Sequence, residues 1–444
     1  MSHGAAAGHP RDGAGGHAAR HLDSREVCKN QRIMASSPRI PIPREIKVLI
    51  AAAFLIALGF GLVAPVLPQF AQSFNVGVAA SSVVVSAFAF TRLVFAPAGG
   101  ALLEKLGERP VYVMGLLIVA LSTAACAFAG SYWQLLIFRG LGGIGSTMFT
   151  ISAMALIIRL APPAIRGRIS GAYASSFLLG NIGGPLLGGL LAGFGLRVPF
   201  LVYAAALLLA AVVVAYLLRE ARGSAGAREK PAERVHLTVR EALSDSAYRA
   251  AMVSSFANGW SSFGVRNSLL PLFAAAVLSA GPEIAGISLT AFAAGTALAL
   301  TFSGKLADSW GRKPLVITGL AINGAATAAI GFSGSVAAFL VVSAIAGMGT
   351  GLLNPAQQAA VADVVGSERS GGKVLAAFQM SADTGAIIGP ILAGVLADTL
   401  GYTWAFAVTG ATALLALLIW LAARETLAPE QRTKVHPDRT TIEE

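Results

Sequence analysis

Twelve runs of about 20 apolar residues constrain this chain more than any other feature. They fall at roughly 48–70, 79–103, 110–129, 133–158, 169–193, 198–218, 249–277, 284–304, 314–332, 336–361, 372–397 and 402–422. A helix of about 20 apolar residues crosses a bilayer, and inside the hydrocarbon only helices and closed barrels satisfy every backbone group. The expected fold is therefore an all-α membrane protein with twelve transmembrane helices. Charge agrees with this: 12% of residues are charged, against about 25% in an average soluble chain.

The runs divide six from six. Between them lies the polar stretch 219–248, with Arg219, Arg222, Arg228, Lys230, Arg234 and Arg240. Residues 1–47, rich in Gly, Ala, Ser, Pro and charge, read as a disordered tail, and 423–444 as a second tail. Met34 opens MASSPRIPIPREIK just before the first span and is a candidate alternative start. Of the 33 Lys and Arg, Arg92, Arg139 and Arg266 lie deep inside spans, and only Arg197 falls in a loop on the side away from the tails. The others share one side. The positive-inside rule puts both termini and the central loop in the cytoplasm. The net charge of +11 is thus an orientation signal with some attraction to anionic lipid, and needs no nucleic acid. The two cysteines, Cys28 and Cys126, fit neither a disulfide framework nor a metal site. All six histidines sit in the tails or the central loop.

The two halves repeat. GALLEKLGERP, Gly100 to Pro110, matches GKLADSWGRKP, Gly304 to Pro314, at an offset of 204. GNIGGPLLGG, from Gly180, matches GAIIGPILAG, from Gly385, at 205, and VLPQF, from Val66, matches LLPLF, from Leu269, at 203. Separated matches at one spacing indicate a duplicated six-helix unit. Parallel repeats of this kind are a transporter architecture with the substrate site between the halves.

These residues resemble the major facilitator superfamily across 45–425. The family's loop pattern G-x-x-x-D-[RK]-x-G-R-[RK] is well kept in Gly304, Asp308, Gly311, Arg312 and Lys313. Its first copy keeps Gly100, Gly107 and Arg109 but has Glu104 for the Asp and Glu108 for the first Arg. FRGLGGIG in span four is similar to the family's R-x-x-x-G pattern through Arg139 and Gly143. Span five carries G-x-x-x-G-P-x-x-G-G in full, as Gly180, Gly184, Pro185, Gly188 and Gly189, and span eleven repeats part of it with Gly389 and Pro390. That pattern is associated with proton-driven exporters, and GFGLVAPVLPQF in span one resembles the drug-exporting twelve-span branch, which includes the tetracycline exporters. The acid those relatives often carry early in span one is missing from LIALGFG. The resemblance implies alternating access, proton-coupled efflux of small amphipathic compounds, and a role for Arg139 in substrate or proton coupling. A monomer is expected, with protons, membrane lipid and a small molecule as its partners. Metabolite uptake by symport is the alternative, and a non-transporting sensor or scaffold a more distant one. There is no P-loop, metal spacing, nucleophile elbow or cofactor fingerprint to suggest an enzyme or a cofactor.

Glycines spaced by four, as at Gly180, Gly184 and Gly188, line one helix face and let another backbone approach; Pro185 removes a hydrogen bond and favours a kink. Tight packing and, by the resemblance, a seal between the halves are both open readings. Ionisable groups deep in a span cost about 2.5–3.5 kcal/mol on insertion scales. At 1.5 Å per residue, Arg92 lies roughly 12 Å and Asp383 roughly 17 Å inside the tail-side membrane surface. The resemblance makes spans two and eleven neighbours across the halves, so these residues are expected to interact. Their repeat equivalents are Thr296 and Leu178, so twofold packing does not require the pair. Asp383 is the one acid deep in a span, with Gln379 a turn away, and is the candidate proton carrier; a structural ion pair is the alternative. Arg266, Asn258, Asn267, Asn354, Gln357 and Gln358 are candidate cavity groups, although helix–helix hydrogen bonding accounts for any one amide equally well. By the resemblance, Glu104 and Asp308 sit beside helix ends of the opposite half and stabilise the outward-facing state, the first copy more weakly because Glu108 is a like-charged neighbour.

Overall fold

A computed structural model of the chain describes residues 42–160, 165–217, 237–366 and 371–427. Met34, Cys28 and the arginines between 219 and 234 lie outside the described residues. Each apolar run is helical. In the N-terminal half, span one is Arg44–Val63 continued by Leu67–Gln72, span two Val78–Leu106, and span three Glu108–Ala127. Span four is Tyr132–Leu160, span five Arg166–Ala192 and span six Val198–Leu217. In the C-terminal half, span seven comprises Ser246–Asn258, a π-helical Gly259–Val265 and Arg266–Ala276. Spans eight to twelve are Pro282–Trp310, Arg312–Ile330, Val336–Val365, Gly372–Leu400 and Tyr402–Ala422. Eleven described helices are individually long and apolar enough to cross a membrane; segmented span seven makes the twelfth.

Two boundaries differ from expectation. Span one starts at Arg44, so the first tail does not run to residue 47. Arg44, Glu45 and Lys47 are helical, and charged side chains at a helix end reach back to the interface, which hides them from an apolar count. The central stretch does not run to 248: a short helix, Val239–Ala242, is closed by a capping box of Thr238 and Glu241, and Asp245 then caps span seven through the Ala247 N–H.

The duplication is visible in the packing. Spans one and five, two and four, three and four, and three and six are paired; seven and eleven, eight and ten, nine and ten, and nine and twelve repeat the arrangement. The halves meet chiefly through two and eleven and through five and eight. Single glycines turn the chain between spans two and three and between eight and nine. Gly107 (φ 83°) and Gly311 (φ 113°) both occupy the left-handed region that disfavours a side chain.

The π segment has a simple origin. Gly180 lies against Phe54 O and Leu58 N of span one, and Gly385 against Phe256 O and Trp260 N of span seven, an offset of 202. Further on, near the end of the segment, Pro185 lies against Gly61 and Pro390 against Gly264, an offset of 203. One residue has been inserted in span seven, and the π turn absorbs it while both flanking helices keep their register.

Candidate functional site

The glycine face of span five packs inside its own half. A methyl group on Gly180 would lie 2.7 Å from the Cβ of Ala57, and one on Gly184 2.7 Å from the Cα of Gly61; Gly188 abuts Leu62. Gly189 and the carbonyls of Pro185 and Ile182 reach the other half, at Pro282–Glu283, Gly286 and Thr290 of span eight. The face is therefore a close helix contact with span one. Gly389 likewise packs on Trp260 within the C-terminal half.

The halves are joined at the end away from the tails and part towards the tail side. At the far end, Gln69 Nε2 donates to Pro271 O at 3.2 Å. Asp398 accepts from Val78 N–H at 2.9 Å and Ala79 N–H at 2.8 Å, capping span two from the end of span eleven. Deeper in, Ser86 Oγ donates to Ile387 O at 2.8 Å, and Thr290 Oγ1 to Ile182 O at 3.1 Å. The last polar link is Arg92 Nη2 to Asp383 Oδ1, at 3.9 Å. No hydrogen bond or ion pair on its tail side joins described residues of the two halves. Near the tail side, Gly100, Gly171, Gly304 and Gly372, one on each of the four interface helices, have no neighbouring atom within 4 Å of where a methyl would stand. Near the far end the same helices are in contact at Gly77, Gly189, Gly286 and Gly394.

Arg92 and Asp383 thus stand where the halves diverge, both partly exposed, with side chains 36% and 21% accessible. Gln379 Nε2 reaches Asp383 Oδ1 at 3.4 Å, along the same helix face.

Arg139 and Arg266 lie inside their own halves. The guanidinium of Arg139 stacks 4.3 Å from the ring centre of Phe88 and 5.8 Å from that of Phe60, and its Nε is buried without an acceptor. Arg266 stacks 3.2 Å from the centre of Phe292. Phe88 and Phe292 are repeat equivalents at an offset of 204. Each half therefore seats one guanidinium on the same ring, brought from span four in one half and span seven in the other.

The amides are also internal. Asn258 Nδ2 donates to Asn354 Oδ1 at 2.9 Å, Gln357 Nε2 to the same oxygen at 3.3 Å, and Ser254 Oγ to Gln357 Oε1 at 3.0 Å. Asn258 and Gln357 are buried, and these bonds join spans seven and ten. Asn267 is used on Phe263 O of its own helix.

On the tail side, Arg312 is buried and paired with Asp308 and Asp363, each at 3.2 Å. Glu425 accepts from the N–H groups of Arg312 and Lys313, at 3.0 and 3.1 Å. Lys313 Nζ donates to Leu421 O and Ala423 O, and Arg109 correspondingly to Ala215 O. Glu108 pairs with Arg159 at 3.1 Å. Glu104 is exposed and, among the described residues, has no ion-pair partner. Neither Glu104 nor Asp308 is bonded to a described residue of the opposite half.

A Major Facilitator Superfamily profile matches residues 49–278 and 251–443, which takes in both halves. The chain belongs to the Major Facilitator Superfamily. It is similar to multidrug resistance protein 2 of Bacillus subtilis, at 26% identity over 81% of this chain and 90% of the relative. It is also similar to the quinolone resistance protein NorA of Staphylococcus aureus, at 26% over 80% and 90%. Its fold resembles a bacterial homologue of the human lysosomal transporter Spinster in an inward-facing, unoccupied conformation, with a TM-score of 0.74 and 18% identity, covering 88% of this chain and 97% of that one. It also resembles a POT family transporter in complex with a conjugated peptide, at 0.72 and 14%, covering 86% and 96%. The chain is a multi-pass membrane transporter of this superfamily.

Sequence reasoning missed Asp398, Asp363, Arg159 and Glu425. Asp398 falls one residue past the apolar run assigned to span eleven and so read as a loop residue. Arg159 and Asp363 are themselves repeat equivalents at 204, and the repeat alone was enough to find them.

Proposed function

We propose that the chain is a proton-coupled exporter of small amphipathic compounds, with the tail side in the cytoplasm and Asp383 as its proton carrier. The observation that carries this reading is the Arg92–Asp383 pair, 3.9 Å apart across the two halves at the point where they diverge. Rocking of the halves changes that separation directly. With the guanidinium close, the carboxylate is compensated as an anion. With it withdrawn, an unpaired charge inside a span is costly, so the pair couples the position of the halves to the charge on this side chain. The relatives named for multidrug and quinolone resistance support export of small compounds, as does the complete span-five pattern. With the tails in the cytoplasm, the arrangement described is open to the inside, ready to load.

The deciding experiment is transport of a dye panel in proteoliposomes with an imposed proton gradient. Dye moving against proton flow supports export. Accumulation along proton flow means uptake by symport, the reading that the missing span-one acid favours. Asp383→Asn is expected to abolish gradient-driven movement while the protein still folds and inserts; full activity in that variant rejects the proton role.

A further inference from the structure

The C-terminal half contains a small pocket around Arg266. It is lined by Ser261, Ser262, Phe292, Asn323, Thr327 and Ser343, among others. One guanidinium nitrogen of Arg266 donates to Ser262 O. The other, Nη1, is buried with no acceptor. The carboxylates of this half stand elsewhere among the described residues: at helix ends, in the loops, and on span eleven at Asp383. A buried cation in a membrane span is costly, and such groups are found paired.

The repeat serves as an internal control. Where Ser343 stands in span ten, span four has Arg139; where Arg266 stands in span seven, span one has Val63. In the N-terminal half the arginine side chain itself fills the corresponding place, between Phe60 and Phe88. In the C-terminal half the small Ser343 leaves free space of about 10 Å³, the scale of a single water-sized species. Ser261 and Ser262 belong to the π segment, the insertion that span one lacks. A polar seam, Ser254–Gln357–Asn354–Asn258, continues along spans seven and ten towards the tail side. Its N-terminal equivalents are Ala52, Ala153, Thr150 and Ile56, so the fold itself does not require a polar seam. The pocket has a fixed positive charge, hydroxyl lining and a polar approach.

We propose that this pocket binds one small monovalent anion of halide size against Nη1 of Arg266, with the Thr327 hydroxyl beside it. The remaining hydroxyls are engaged: Ser261 with Asn323, Ser262 with Thr350, and Ser343 with Ser288 and Phe339 O. The site is internal to one half and does not depend on what the transporter carries.

The test uses the purified full chain, with its melting temperature followed as sodium gluconate is replaced by sodium chloride or bromide at constant ionic strength. A ligand bound only by the native state raises the melting temperature saturably; a rise of roughly 2–5 °C is expected. Arg266→Gln should remove the rise. Ser343→Val fills the space without touching the arginine and should also remove it, which keeps the test decisive if Arg266→Gln does not fold. A wild type that responds alike to halide and gluconate holds only water there, and the proposal fails. A halide response that survives in Ser343→Val places the anion elsewhere and overturns it equally.

Discussion

Glu108 and Arg312 occupy the same place in the two halves and carry opposite charges. Each pairs with the residue at the tail-side end of the next span, Arg159 and Asp363, which are equivalent to one another and also opposite in sign. The departure of the first loop motif from the family pattern is thus a charge swap that preserves the ion pair. The surroundings differ. Arg312 is buried and serves Asp308, Asp363 and, through its backbone, Glu425, whereas Arg159 and Glu108 are 45% and 25% exposed. Removing one partner of a buried pair costs about 3–5 kcal/mol, while an exposed pair is worth about 0–1. Arg312→Ala should therefore destabilise the protein by more than Glu108→Ala, which should cost at most about 1 kcal/mol, read as loss of melting temperature in detergent. The double swap Glu108→Arg with Arg159→Asp should recover wild-type stability, and also give Glu104 the neighbouring cation that Asp308 has.

The glycines predict a contrast within single helices. A methyl on Gly188 runs into Leu62, and one on Gly184 into Leu58 and Gly61. Both helices are backbone at the contact and cannot yield cheaply. Overpacking of this kind costs about 1–3 kcal/mol. Gly171 and Gly304 have open space where the methyl would go, and alanine is the better helix former by about 1 kcal/mol. Gly188→Ala should lower the melting temperature clearly, and Gly171→Ala should leave it unchanged or raise it. Equal losses at both positions would refute the idea that contact with span one sets the requirement.

Apolar length made the twelve spans legible, because a bilayer demands it, and the repeat made the two halves legible. The Arg92–Asp383 approach was legible too, from depth plus the resemblance. Other features depend on tertiary geometry. The π turn in span seven shows in sequence only as a one-residue change in repeat offset. Asn258, Asn354 and Gln357 look the same in sequence whether they face a cavity or one another, since polar residues in a span satisfy either role. Arg139 and Arg266 sit on different spans and at different repeat positions, so nothing in the alignment of the halves reveals that they rest on equivalent rings. The charge-swapped pairs were readable, but a search for the family's own motif reads Glu108 as a defect.

Outside the spans, Asp245 and Arg424 tie the start of span seven to the chain after span twelve, with Nε 3.0 Å from Oδ1. Burial alone raises the Asp245 carboxyl, but the Arg424 hydrogen bond and the Ala247 N–H outweigh it and hold the group below the usual carboxylate range. A carboxyl depressed in the folded state contributes stability that is present above its unfolded value, about 3.9, and is lost as pH falls through the folded one. Melting temperature should therefore fall as pH drops below about 4. Arg424→Gln should flatten that part of the profile and leave the neutral region little changed, because so exposed a pair contributes about 1 kcal/mol or less.

Asp398 does at the far end what the resemblance assigns to Glu104 and Asp308 at the tail side. It is a carboxylate of one half placed on the helix N-terminus of the other, with both oxygens used, one on Val78 N–H and one on Ala79 N–H. A side chain on Gly77 would meet its Oδ2 at 2.9 Å, so glycine there lets the carboxylate approach. Such a contact exists only while the far end is closed, and it must break for the far end to open. An anion at a helix N-terminus is worth about 0.3–1 kcal/mol; at about 1 kcal/mol its loss shifts a two-state population about five-fold. Asp398→Ala should move the protein towards the far-end-open arrangement by about that factor. The readout is the distance distribution between spin labels at Ser73 and Thr399, with both native cysteines replaced. Glu104→Ala should shift the same distribution the opposite way. If Asp398→Ala leaves the distribution unchanged, the two hydrogen bonds follow closure and do not hold it.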